Sequence, residues 1–445
     1  MSSDLMSIAA SGAKAARAAL DITAQNIANA SSEGYVRRSV QLSEMAPTSV
    51  RGQTGGVALS GVRLDRVERN ADLFKMAEMR RTTSDVSRAN AQLSGLENVE
   101  ASLENAQIYP GMLDFEASLE TLAADPTNLS LRASVLASAG TLARSFNVAS
   151  TSLDAAGDNA HFDAAAAVDQ VNVFANELAR INLRLSRAQN GSTDQSALLD
   201  QRDLMLQRMS GLADLSVTTG PDQTVEVRLG SGGGTPLVQG GTAAQLTSTT
   251  ATDGTLSFAV GGSPVTLAGG TLAGHSQALV ALRDYRSQLD TIAGNLAMAV
   301  NAIQTGGAAL DGTTGQPFFS GTTAANIAVV LTGPAQIATA PAGAGAGSRD
   351  PANLATLRSA LTTNGPADAM NALLFDVSGV VSGLTTTRDA LETIASSASI
   401  ALASQAGVDL DHEAVNLIRF QQAFQASGRA MQVASDLFDT ILGIR

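Results

Sequence analysis

The side chains best suited to chemistry in this 445-residue sequence are three histidines, a glycine-rich loop and a few acidic pairs. His412 and Glu413 open an H-E-x-x pattern, the start of a helical metalloprotease motif in which a second histidine four residues after the first completes the zinc face. That position holds Asn416, so no metal site is expected. His161 and His275 stand alone in sequence, and a solvated or helix-terminal imidazole accounts for each. GSGGGT at 230–235 has the glycines of a phosphate loop without its Gly-Lys-Ser/Thr, and neither Lys14 nor Lys75 follows a glycine. Asp409 with Asp411, and Asp200 with Asp203, offer paired carboxylates for acid–base work. Local duties suit them better: Asp409 or Asp411 at a helix N-terminus, Asp200 and Asp203 beside Arg202 on a solvated helix face. The absence of cysteine excludes thiolate catalysis, disulfides and cysteine-ligated zinc. Neither enzymatic activity nor a cofactor is expected.

The remaining composition narrows the partners. Hydrophobic residues make up 44% and charged residues 16%, the balance of a folded chain, with enough length for several domains. Aromatic residues are only 3% and Trp is absent, so a large aromatic-lined ligand pocket is not expected. A net charge of -13 disfavours nucleic acid, whose phosphates require a concentrated basic face. The opening MSSDLMSIAASGAKAARAAL lacks the basic stretch and long apolar run of a Sec signal peptide. No window reaches the roughly 18 to 20 apolar residues of a membrane span, so membrane insertion is not expected.

The elements that carry these residues are mostly helices. Residues 4–30 read as a helix in which Met6, Ala13, Leu20 and Ile27 recur every seventh residue, with Ala9, Ala16 and Thr23 nearby, a coiled-coil seam. It closes at SSEGY, where Gly34 can take a positive φ. Residues 39–66 alternate as strands between glycines 52, 55 and 56. Helical patterns follow at 70–107, 111–124, 128–153, 161–190 and 196–212, with Asp-Pro at 125–126 as a break. From 215 to 273 short alternating runs separated by GSGGG, TDG and GG predict hairpins, read as one small inserted β domain. Helix resumes at 275–304, an irregular Gly/Ala/Thr stretch occupies 305–348, and helices return at 351–364, 368–405 and 408–442.

The last helix is the most regular: Leu410, Leu417, Phe424, Met431 and Phe438 stand seven residues apart, and Leu442 ends the complementary row seven residues after Ser435. The row taken to complement them, Ala414, Gln421, Gly428 and Ser435, is small or polar. One strong row and one weak row make a poor isolated coiled coil, so this helix needs more than one neighbour. The simplest arrangement pairs the two terminal helices; an ordinary antiparallel bundle whose ends happen to meet is the plain alternative.

Motifs at both ends carry a resemblance. QNIANASSEGYVRR is similar to the N-I-A-N-x-x-T-x-G-Y signature of the flagellar axial rod, hook and junction family, matched by Asn26, Ile27, Ala28, Asn29, Gly34 and Tyr35. Ser32 and Glu33 depart from its usual Thr-Pro. The C-terminal segment 407–445 resembles the family's other signature through Leu410, Glu413, Asn416, Leu417, Gln421, Gln422, Phe424, Ala426 and Leu437. Internal segments LLDQRDLMLQRMSGLADLSV and LRDYRSQLDTIAGNLAMAVNAIQTGG resemble the hook-filament junction members.

The resemblance implies a mainly α fold with an inserted small β domain. The N- and C-terminal helices would pair as a coiled-coil stalk (1–38 plus 408–445). A helical-bundle middle domain would take 39–214 plus 274–407, and a β-rich outer domain 215–273. It implies a structural adaptor that joins hook to filament through a ring. The implied partners are further copies of itself, the hook protein, a second junction protein on the filament side and a cytoplasmic export chaperone at the C-terminal segment. Secretion by the flagellar type III route into the extracellular flagellum is implied too. Two readings from the residues remain beside it: a secreted fibre whose β insertion binds a ligand, and a cell-wall enzyme with an acidic site.

Overall fold

The computed structural model describes residues 2–45, 61–230, 233–363 and 365–443, with terminal side chains described from Leu5 and up to Thr440. The helices are α1 (Ser2–Ala28), α2 (Leu73–Asn105), α3 (Ile108–Ala124), α4 (Leu129–Leu185), α5 (Thr193–Leu212), α6 (Gly270–Thr305), α7 (Ala352–Thr362), α8 (Pro366–Ala406) and α9 (Leu410–Gly443). Their residues fall into two compact units. One holds Met1–Ser84, Val171–Gln245 and Glu392–Arg445, the other Asp85–Gln170 and Leu246–Leu391.

In the unit that holds both termini, α1 packs against α9 and also against a hairpin of β1 (Arg38–Glu44) and β2 (Val62–Arg69). The strands are antiparallel with a register shift between Gln41 and Leu42. Helix α5 precedes a four-stranded sheet of β3 (Leu215–Thr219), β4 (Val225–Leu229), β5 (Val238–Gln239) and β6 (Thr242–Ala243), in that order. In strand β4 Val225, Val227 and Leu229 are buried and Glu226 and Arg228 half-buried, the period-2 alternation that its sequence VEVRL predicts. Buried Asn182 near the end of α4 accepts from the Val225 N–H at 2.9 Å and donates to the Val225 and Gly240 carbonyls, tying that helix to the sheet.

The other unit has the larger core. Leu96, Leu103, Phe115, Leu119, Leu142 and Phe146 meet Leu289, Leu296, Phe318 and Met370, all buried. Helices α2 and α6 approach closely because small residues meet: a Cβ built on Gly274 would lie 2.4 Å from the Arg88 carbonyl oxygen, so only glycine fits. The irregular stretch after α6 holds short strands β10 (Gly307–Ala308), β11 (Phe319–Ser320), β12 (Ala328–Val329) and β13 (Ala340–Pro341), and polar side chains fasten it. Asn301 Oδ1 accepts from the Phe318 and Phe319 N–H groups at 2.7 and 2.9 Å. Fully buried Arg132 donates to the Pro126 and Ile337 carbonyls, each at 2.6 Å, and to Thr339 Oγ1 at 2.7 Å. Burial lowers the pKa of its guanidinium.

Several elements differ from their sequence reading. The patterns at 128–153 and 161–190 form one 57-residue helix, α4. Gly157 between them faces Leu282 of α6, so packing overrides the weak helix propensity of glycine. The single inserted β domain expected at 215–273 is instead two sheets in different units. After the four-stranded sheet, β7 (Leu246–Thr250), β8 (Leu256–Val260) and β9 (Ser263–Val265) pair only among themselves among the described residues. Hairpin signals specify each turn but not which hairpins share a sheet. Glycines 52, 55 and 56, and Ser231 and Gly232 of GSGGGT, lie outside the described residues. Among the described residues no helix is long and apolar enough to cross a membrane.

Candidate assembly interface

The seam between the terminal helices begins with alanine. On α1, Ala9, Ala13, Ala16 and Thr23 are buried and Leu20 and Ile27 half-buried, while Met6 near the N-terminus is exposed. Small side chains let α9 come close: a Cβ on Gly12 would sit 3.1 Å from Ser427 Oγ. At the other end Arg37, which follows α1 in the chain, reaches Glu413, so the two helices run antiparallel.

On α9 the row seven residues apart that faces α1 most fully is Glu413, Phe420, Ser427 and Ala434. The first and last are buried and the middle two half-buried. These stand three and four residues from Leu417, Phe424, Met431 and Phe438, the spacing of a two-row heptad seam. The small or polar row expected to do this, Ala414, Gln421, Gly428 and Ser435, lies one residue further round: Ala414 and Gln421 are exposed, Gly428 and Ser435 half-buried. Alanine cannot cover the large row: Leu417 and Met431 are half-buried, whereas Leu410, Phe424 and Phe438 are 54%, 42% and 46% exposed. Val415, Ile418, Val433 and Leu437 are further exposed apolar side chains on α9: Val415 and Ile418 lie opposite the seam row, while Leu437, three residues after buried Ala434, flanks the seam. Leu442 lies outside the described side chains.

Beneath the seam a polar latch holds the chain reversal between α1 and β1. Asn26 is buried; its Oδ1 accepts from the Arg38 N–H at 3.0 Å and the Tyr35 hydroxyl at 2.9 Å, and its Nδ2 donates to the Arg38 carbonyl at 2.9 Å. A carboxamide supplies donor and acceptor together, and so pairs both backbone groups of one residue. Burial raises the pKa of Tyr35, whose ring lies 5.1 Å from the Arg38 guanidinium. Asn29 donates to the Gln25 carbonyl at 2.9 Å and ends the helix. Gly34 takes φ +77°, and a Cβ there would press on Leu204 at 3.1 Å. The motif residues Asn26, Asn29, Gly34 and Tyr35 thus all serve one turn, while Ile27 flanks the seam.

Arginines extend the latch to three other elements. Arg37 Nε donates to Glu413 Oε1 at 2.7 Å, and its N–H donates to the Ala406 carbonyl, joining the turn to the start of α9. Arg38 pairs with Asp200 at 2.8 Å; Arg69 bridges Asp200 and Asp203 at 2.7 and 3.0 Å; Arg202 binds Asp203 at 2.6 Å. Asp200, Arg202 and Asp203 are therefore not on a solvated face, the reverse of their sequence reading: α5 turns them inward against the β1–β2 hairpin. The R-R pair after Gly-Tyr and the D-Q-R-D spacing were the available signals, but their partners lie far away in sequence. Asp409 caps α9 as expected, accepting from the Asp411 and His412 N–H groups at 3.0 and 3.2 Å. His412 points to solvent while Glu413 is buried on Arg37, so the two diverge. Among the described residues no three acidic or histidine side chains are grouped to hold a metal.

The comparisons agree with this geometry. Residues 6–35 match the family model described as flagella basal body rod protein, and residues 402–444 the one described as flagellar basal body rod FlgEFG protein C-terminal. These two segments take in most of α1 and all of α9, the halves of the antiparallel pair, and mark an axial protein of the flagellum. Residues 93–319 match the model of the flagellar hook-associated protein FlgK helical domain, and the chain belongs to that family. Flagellar hook-associated protein 1 of Escherichia coli (strain K12) is 26% identical over 557 residues, covering 100% of both chains. That of Bacillus subtilis (strain 168) is 24% identical, covering 96% of this chain and 95% of its own. The solved flagellar hook junction protein FlgK from Burkholderia pseudomallei shares the fold, with a TM-score of 0.65 at 14% identity over 73% of this chain and 99% of that one.

Proposed function

We propose that this chain is a structural adaptor of the bacterial flagellum that joins the hook to the filament, and that copies of it form the joining ring. The half-covered row Leu410, Leu417, Phe424, Met431 and Phe438 carries this reading. Its single-chain partner is a helix of alanines, so further burial requires other subunits. Burying each such side chain fully contributes roughly 1.5 to 3 kcal/mol, enough in sum to offset the ordering of the two terminal segments. In this reading Met6, Ala13, Leu20 and Ile27 complete the inner face together with Leu442.

The terminal segments 1–38 and 408–445 would then be the inner part of the ring, and the helical and β regions its outer layers. The hook protein meets one side and a second junction protein the other. A cytoplasmic chaperone shields the C-terminal segment before type III export, since the apolar stripes of α9 would otherwise associate. The side chains serve packing and assembly, and no catalytic role is assigned. Electron microscopy of a strain lacking the gene, with flagellin assayed in the medium, tests the reading. Bare hooks with flagellin lost to the medium support it; normal filaments refute it.

A further inference from the structure

Next to the latch is a cleft of about 400 Å³ lined by Met76, Met79, Leu204, Leu402 and Ala406. Arg80 opens into it and makes no hydrogen bond among the described residues, although it is half-buried and burial lowers its pKa. The carboxylates around it are already committed: Glu33, which also lines the cleft, pairs with Arg208 at 2.7 Å. Asp200 gives one oxygen to Arg38 and the other to Arg69, and Asp203 gives one to Arg69 and the other to Arg202. Four guanidinium groups thus share two carboxylates, leaving a local positive excess in a chain whose net charge is -13. The cleft suits an apolar side chain with a carboxylate beside it, and methionine walls adapt readily to such a guest.

The end of α9 presents that combination. Leu437 is 46% exposed beside the seam near the end of α9, and Asp436 next to it is exposed with no ion pair among the described residues. At about 1.5 Å of rise per residue, this end of α9 stands about 35 Å from Glu413 at the helix start. The cleft is walled by Ala406 and Gly407 just before that start, so Leu437 cannot reach the cleft of its own chain. A second copy can bring it there. We propose that the cleft receives the end of α9 from a second copy, with Leu437 seated among the methionines and Asp436 paired with Arg80. This contact joins the far end of one helix pair to the base of another. It is head-to-tail, and a heterologous contact of that kind generates a ring where its rotation closes and a helical array where it does not. It rests on the adaptor reading, because copies must meet.

The cysteine-free sequence makes the test direct. Full-length Ser399→Cys and Val433→Cys chains are mixed, added to isolated hooks and oxidised. Ser399 lines the cleft, and Val433 is one turn from Leu437. An inter-copy disulfide is expected, reduced about tenfold or more when the Ser399→Cys copy also carries Arg80→Glu. Asp436→Arg in the other copy should restore it. Asp436→Arg alone, at an exposed position, should lower the yield equally and serves if Arg80→Glu disturbs folding by circular dichroism. Hooks that acquire the protein without the disulfide, or with a yield insensitive to both charges, overturn the socket alone. Hooks that never acquire it overturn the adaptor reading with it.

Discussion

Asn26→Ala tests the latch most sharply. The side chain makes three hydrogen bonds, two of them to the N–H and C=O of Arg38, and all three lie in buried or half-buried surroundings. Alanine removes them and leaves two backbone groups and a hydroxyl unpaired. A hydrogen bond contributes about 1 kcal/mol net, and a buried polar group left without a partner costs about 1 to 3 kcal/mol. The expected loss is therefore about 3 to 5 kcal/mol in the unit that holds the termini. Tyr35→Phe removes only the hydroxyl bond and should cost about 1 kcal/mol. Because the tyrosine and arginine partners share Asn26, the double variant should cost less than the sum of the two. Hydrogen exchange followed by mass spectrometry is the assay: Asn26→Ala should speed exchange in residues 35–40 and at the start of α9, which Arg37 joins to that turn. Residues 115–146, in the core of the other unit, should be unchanged. Exchange in 35–40 within about 0.5 kcal/mol of the unsubstituted protein would refute the claim that this one carboxamide holds the chain reversal.

Three further outcomes are expected. Phe424→Asp, at a side chain 42% exposed in the single chain, should abolish incorporation into flagella while leaving the circular dichroism melt nearly unchanged; normal incorporation removes that row from the interface. Arg132→Leu leaves the Pro126 and Ile337 carbonyls and Thr339 without their charged donor, and should cost about 3 kcal/mol or more, with exchange rising around 334–341. Tyr285 is pushed up to about 12, first by burial and then by its hydrogen bond to Asp376. A folded-state pKa above the ordinary 10 gives stability that is complete below pH 10 and lost as pH rises toward 12. Tyr285→Phe should remove this part of the alkaline slope in urea unfolding measured across that range.

Most of the helices, though not the continuity of α4 through Gly157, and the pairing of the two termini were legible in the sequence because each depends on local signals. Seven-residue recurrence marks α1 and α9, and Asp-Pro with Asn128 separates α3 from α4, where Asn128 Oδ1 accepts from the Ser130 N–H at 2.9 Å. Gly34 was legible as the end of α1 for the same reason: a positive φ is a property of one residue. The seam was only half legible. Periodicity identifies the large row on α9, but whether its companion is Ala414 and Gln421 or Glu413 and Phe420 depends on how α9 is rotated against α1, and that is settled by where alanines allow close approach. Tertiary structure alone decided the latch. Arg38 meets Asp200 across 162 positions and Arg37 meets Glu413 across 376, and no pattern along the chain records such pairs. Asp200, Arg202 and Asp203 show why: a charged helix face looks solvated in sequence, and becomes a core only when folding brings opposite charges over it and takes the water away.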